Sequence, residues 1–212
     1  MSVVQPVHLK PDEVNRAQRY RQPEDRNRFT YARNLMRLLL SQYCRQAPDM
    51  ITFTTGLNGK PQLSHTDTWH INVSHAGNWI LIGVGRSSVG VDVEVINPSF
   101  AFQDLLSNSF SAPEQQHILG DAQPGLTFYQ LWTRKEALVK ATAKGIDDDF
   151  SQIPSLTGMH PRSSHLVGTT GNWIVQSIPV ADECVAALAY PKTSVTPKFY
   201  TVDSGFFTYF TS

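Results

Sequence analysis

Cysteine is nearly absent: the 212 residues carry two, Cys44 and Cys184, with neither CxxC spacing nor a metal-ligand pattern. That excludes a disulfide-stapled secreted scaffold and a cysteine-built zinc site. Free thiols in a reducing compartment are the simplest expectation, with one Cys44–Cys184 bridge as the alternative. Long apolar runs are missing too. Runs such as Ile80-Leu81-Ile82 are short, and none approaches the ~20 residues a membrane helix needs. The first residues show no signal-peptide stretch, so no export and a cytoplasmic location are expected. Net charge is +0, so neither sign dominates the chain as a whole. No repeat or low-complexity segment occurs, which argues against a solenoid.

What is present suffices for a core. Hydrophobic residues make up 41%, unlike a disordered chain, and the length fits one large domain or two small ones. Charge is unevenly placed. Seven of the eleven arginines fall between Arg16 and Arg37, and nine of the eighteen acids between Asp92 and Asp149. The asymmetry suggests an anion site beside a metal site. Two solvated surfaces of opposite sign would look the same.

Residues 1–10 read as extended. Pro11-Asp12-Glu13 suits a helical first turn, and a helix is expected over 11–23. A longer one follows over 23–46, with Tyr31, Leu35, Leu38, Leu39 and Tyr43 near helical period. Residues 49–55 alternate like a strand, and Leu57-Asn58-Gly59-Lys60-Pro61 is a turn. Strands are expected over 70–73 and 79–85, with His75-Ala76-Gly77-Asn78 turning between them, and over 89–95. Residues 100–119 read as helix interrupted near Ser111, and 126–143 as the clearest helix of the second half. A closing hairpin is expected from 174–177 and 184–190; beyond Pro191 the pattern is weak. Helices and antiparallel strands mix without regular alternation, so the fold class is α+β.

Asp92 and Glu94 stand two apart on a strand, so both carboxylates face one side while Val91, Val93 and Val95 face a core. Paired carboxylates repel unless a cation lies between them. Magnesium suits, because it takes oxygen ligands and shares its remaining positions with phosphates; an acidic edge strand facing water has the same pattern. Glu136 and Lys140 lie one helical turn apart, which by itself describes a surface ion pair. Lys135 and Lys144 add ammonium groups at the same end, as a phosphorylated ligand would need. His75 can donate to a phosphate oxygen or be an exposed turn residue. His65, His70 and His75 recur every five residues, which fits no single face and rules out a zinc site among them. The arginine-rich helix lacks the interleaved aromatics of an RNA-binding surface. Arg28 and Arg33 holding a phosphate monoester is the more economical reading.

Taken in order, six segments resemble the 4'-phosphopantetheinyl transferases of the larger type that activates nonribosomal peptide and polyketide synthases. They are Pro23-Glu-Asp-Arg-Asn-Arg28, Gly59-Lys60-Pro61, Asn72-Val-Ser-His75, Val89-Gly-Val-Asp-Val-Glu94, Phe110-Ser-Ala-Pro-Glu114 and Trp132-Thr-Arg-Lys-Glu-Ala-Leu-Val-Lys140, the last followed by Lys144-Gly145. Ala76 and Thr133 depart from the family pattern only in being different small residues. The resemblance implies two similar α+β subdomains, 1–88 and 89–212, about a pseudo-twofold axis, with coenzyme A in the cleft and a monomeric chain. It implies magnesium held by Asp92, Glu94 and Glu136. Ser74, His75 and Lys140 would hold the coenzyme A phosphates, Lys60 and Pro61 would wall the adenine side, and Arg28 would contact the 3'-phosphate. Glu136 is the implied base, with Lys140 and His75 as catalytic donors. The partners implied are coenzyme A and an acyl or peptidyl carrier protein, with no nucleic acid and no membrane. Two rivals explain part of the pattern: a magnesium-dependent diphosphate hydrolase acting on a nucleotide or coenzyme A, and a non-catalytic module binding RNA or an acidic protein.

Overall fold

The computed structural model describes residues 8–64, 68–145, 149–156, 158–162, 171–192 and 196–202. Most of the segment 1–10, all of 163–170 and the end of the tail lie outside them. Helix α1 (Pro11–Gln18) opens with proline and sets Asp12 and Glu13 against the positive helix end. It stops five residues before the expected Pro23, because proline forces its predecessor Gln22 out of the helical region (φ −88°, ψ 130°). Helix α2 (Pro23–Cys44) then runs to a left-handed cap at Arg45.

Only part of 49–55 is strand. Pro48–Met50 form a 3-10 turn, and β1 is Phe53–Thr55, paired antiparallel with β2 (Pro61–Leu63). Strands β3 (His70–Ala76) and β4 (Trp79–Gly85) form a hairpin. Its turn is shorter than expected. Gly77 at φ 54° reverses the chain in two residues, so His75 is a strand residue opposite Ile80.

The second half begins with β5 (Gly90–Val95), followed by α3 (Gln103–Ser109), α4 (Ala112–Leu119) and α5 (Pro124–Thr142). Strands β6 (Gly158–Arg162), β7 (Gly171–Ala181) and β8 (Cys184–Pro191) complete an antiparallel sheet of order β5-β8-β7-β6. Strand β6 was not anticipated. It is an edge strand, where Pro161 is tolerated without giving a recognisable strand pattern. The class is α+β, as expected.

Each half places its long helix on antiparallel strands. Met36 and Leu40 of α2 pack on Ile51 and Ile71, with Val73, Ile82 and Val84 at the margin. Ala137, Leu138 and Ala141 of α5 pack on Val175, Ala187 and Ala189. The opposite face of β5 and β8 meets the first half, where Val91, Val93 and Leu188 cover Trp79 and Leu81. Val95 departs from the expected core face: it ends the strand and is 38% exposed. Both cysteines are free thiols. Among the described residues no helix is long and apolar enough to cross a membrane.

Candidate functional site

The seam between the halves is held by side chains. Strand β3 runs beside the free edge of β5, but the Val91 amide donates to Asn72 Oδ1 (2.8 Å) and the Val93 amide to Ser74 Oγ (3.4 Å). Two β3 side chains thus stand in for a ladder. This fixes Asp92, between those amides, against β3.

Asp92 points to the α5 side of the sheet. Its neighbour on β8 is Ala187, whose small side chain lets α5 come close. Gly90 has the same effect at the strand's first residue: a Cβ there would collide with the Ala137 carbonyl and the Ala141 backbone. The close approach brings Lys140 of α5 onto Asp92. Lys140 Nζ donates to Asp92 Oδ1 (2.6 Å) and Ser74 Oγ (3.1 Å), and Ser74 Oγ donates to Asp92 Oδ1 (2.8 Å). Asp92 Oδ2 is buried and has no hydrogen-bond partner among the described residues.

Three carboxyls feel one another here. Burial pushes the Glu94 carboxyl up to about 7, reinforced by Asp92 and Glu136 and opposed by Lys140. Burial and then Asp92 raise Glu136, again against Lys140. Burial also raises Asp92, although Lys140, Ser74 and the Val93 amide favour its charged form. Fully ionised, the three carboxylates would carry more negative charge than one ammonium neutralises, and each holds its proton more tightly than an ordinary carboxylate. Among the described residues no three acidic, histidine or cysteine side chains close into a ready cage for an ion, and Lys140 is drawn to Asp92.

The cluster borders a cavity of about 450 Å³ whose walls come from both halves: Arg16 and Arg33, Lys60 and Pro61, His75, and Glu136 with Lys140. Ser74 and Asp92 lie behind Lys140. His75 has its pKa lowered by burial first, then by the cations Arg28 and Lys140, partly offset by a backbone hydrogen bond and Asp25. Arg33 combines an ion pair to Glu13 (3.3 Å) with a buried Nη1 that has no hydrogen-bond partner among the described residues. Arg28 is not on the cavity wall. It binds the Gly77 carbonyl (3.0 Å) and Asp25.

Some expected cations serve the fold. Lys135 is fully buried, ion-paired to Glu114 (3.0 Å) and bonded to the Phe150, Ser151 and Ile153 carbonyls. It cannot meet a ligand's phosphate. The signal was present in the sequence: Phe128, Leu131, Lys135 and Leu138 make one helical stripe, with the lysine in an apolar position. Arg37 is likewise buried, chelating Glu13 through Nη2 (2.7 Å to each oxygen). Arg16, Tyr20 and Phe29 at the far cavity end were not singled out; no short motif marks them.

Comparison with known proteins gives the chain its family. Residues 3–86 match the family described as 4'-phosphopantetheinyl transferase, N-terminal, and residues 88–188 match the 4'-phosphopantetheinyl transferase superfamily. A Synechocystis sp. protein described as a candidate 4'-phosphopantetheinyl transferase is 35% identical over 179 residues, 81% of this chain and 72% of its own. The 4'-phosphopantetheinyl transferase HetI of Nostoc sp. is 32% identical over 198 residues, 91% and 82% of the two chains. Sfp of Bacillus subtilis, a 4'-phosphopantetheinyl transferase, is 28% identical over 148 residues, 68% and 65%. With relatives of this identity and coverage on both sides of the seam, the chain belongs to the 4'-phosphopantetheinyl transferase superfamily.

Proposed function

We propose that this enzyme transfers 4'-phosphopantetheine from coenzyme A to a serine hydroxyl of an acyl or peptidyl carrier protein, with magnesium, releasing 3',5'-ADP. The observation that carries the reading is Glu136 and Lys140 on the wall of a cavity lined by both halves, with Asp92 bound to Lys140 behind it and Glu94 within electrostatic reach of all three. The residues fit a hard divalent cation. All three donors are carboxylates, their proton affinities are raised, and Asp92 Oδ2 lacks a partner among the described residues. Magnesium bound there would supply Lewis-acid stabilisation of charge developing on the diphosphate oxygens.

The chain's own groups account for the rest. The serine oxygen forms a bond to the phosphorus nearest the pantetheine arm as the bond to 3',5'-ADP breaks. Glu136 takes the serine proton, directly or through a water. Lys140 and His75 are the donors facing the diphosphate charge as it grows. Arg33, with its unpartnered Nη1, suits the 3'-phosphate, and Pro61 the adenine side. In this reading the parts 1–88 and 89–212 act as similar subdomains about a pseudo-twofold axis in a monomer. The paired long helices, α2 and α5, each on antiparallel strands, support it.

Intact-mass analysis of an apo carrier protein with coenzyme A and magnesium tests the activity. The expected gain is one phosphopantetheine, lost with a chelator. Asp92→Ala and Glu136→Ala should each lower transfer by about 100-fold or more with unchanged circular dichroism. Near-normal turnover in either variant would sink the assignment, and consumption of coenzyme A without any carrier would favour a hydrolase.

A further inference from the structure

Lys60 lines the cavity, yet its ammonium is engaged elsewhere. Nζ donates to the Ala141 carbonyl (2.8 Å) in the last turn of α5 and to the Val89 carbonyl (3.2 Å) just before β5. No carboxylate shares the contact among the ion pairs of the described residues. Two residues earlier, Asn58 Nδ2 donates to the Ala143 (3.0 Å) and Lys144 (2.6 Å) carbonyls. Asn58 itself stands in the left-handed region at φ 51°, as does Ala143, the cap of α5, at φ 57°. A Cβ on Gly145 would meet the Asn58 amide at 2.7 Å. The loop between β1 and β2 therefore satisfies carbonyls at a helix C-terminus that have no partner within the helix. It also grips the backbone of both chains that carry the site. Val89 leads within three residues to Asp92, and Ala141 directly follows Lys140.

We propose that Lys60 and Asn58 are positioning residues: their loop clasps the C-terminal end of α5 to the start of β5 and so sets where Lys140 and Glu136 stand relative to Asp92. The role in transfer rests on the function proposed above; the clasp itself does not. Lys60 acts through the helix, not through its charge on a ligand. A cation turned toward backbone carbonyls and stripped of much water is suited to that, and burial lowers the Lys60 pKa to about 8.

The test compares wild type with Lys60→Met, which keeps the aliphatic stem, Lys60→Arg, which keeps donors, and Asn58→Gly, which keeps the left-handed backbone. Three readouts are used: hydrogen exchange of amides in residues 137–145, titration calorimetry with 3',5'-ADP, and kcat on an apo carrier. Lys60→Met and Asn58→Gly should each lose about tenfold or more protection at 137–145, with the β7–β8 hairpin unchanged. Their kcat should fall about tenfold or more, as small misplacements of catalytic groups do, while 3',5'-ADP affinity stays within about threefold. Lys60→Arg should recover most of both. Unchanged exchange in both variants overturns the clasp. So does a large loss of 3',5'-ADP affinity with unchanged exchange, which would make Lys60 a ligand contact. Loosened exchange with unchanged kcat overturns the positioning role. If wild type modifies no carrier, the proposed function fails and exchange still decides the clasp. Should Lys60→Met not fold, Asn58→Gly carries the same comparison.

Discussion

Lys135 and Lys140 stand five residues apart on one helix and meet opposite surroundings. Lys140 reaches the cavity, whereas Lys135 is sealed against Glu114. Burial alone would raise the Glu114 carboxyl, but Lys135, Ser155 and the Ser111 amide overcome it and hold the pKa below its ordinary value. Removing one member of such a pair leaves a buried charge uncompensated. Glu114→Gln should destabilise the fold by about 3 kcal/mol, measured by urea unfolding. The folded pKa is depressed, so the stabilisation is complete above the ordinary carboxyl value of 4.5 and is lost as pH falls through the lowered one. The gap between wild type and Glu114→Gln should therefore close as the pH is taken below that value. Lys60 gives the same sign in another window. Its pKa is about 8 folded against 10.5 for an exposed lysine, so the unfolded chain binds more protons between them. Its contribution to the melting temperature should rise from pH 8 toward 10.5. A Lys60→Met variant showing the same rise would remove Lys60 as the cause.

Among elements, the contact of β5 with α5 is the one on which the site depends, and Gly90 permits it. A methyl group at that position meets helix backbone, which has no rotamer to yield. Gly90→Ala should cost about 3 kcal/mol and lower transfer, read from denaturant unfolding and carrier modification together. Survival of both would mean that the helix can move away without harm. Most elements were legible because hydrophobic period reports burial on one face. That signal placed α2, α5, β4, β5 and the β7–β8 hairpin, and it put Asp92 and Glu94 together on the α5 side. It failed where another force decides. Pro23 ended α1 early through its effect on Gln22, and the two-residue turn at Gly77 turned His75 from a loop residue into a strand residue. Strand β6 forms on an edge despite its proline. Lys60 was legible as part of a rigid turn, but nothing local says that its ammonium lies on carbonyls 29 and 81 residues away.

At the scale of the whole molecule, the two halves join without a continuous sheet. Asn72 and Ser74 reach from β3 to the backbone of β5, while Trp79 and Leu81 cover its apolar face. A seam made of side chains can be weakened one bond at a time, unlike a ladder. Asn72 is the cleanest place to do so, since its Oδ1 holds the Val91 amide and is not bonded to Asp92, Glu136 or Lys140. Asn72→Ala leaves that buried N–H unsatisfied, a penalty of about 1–3 kcal/mol. If the seam sets the site, the loss must also reach the chemistry. Asp92 follows Val91 directly, so a shifted β5 separates its carboxylate from Lys140 and Ser74. The expected outcome is a modest fall in urea stability with a larger fractional fall in transfer. A loss of stability with full turnover would mean that α5 alone fixes Asp92 and that the seam serves only to hold the halves together.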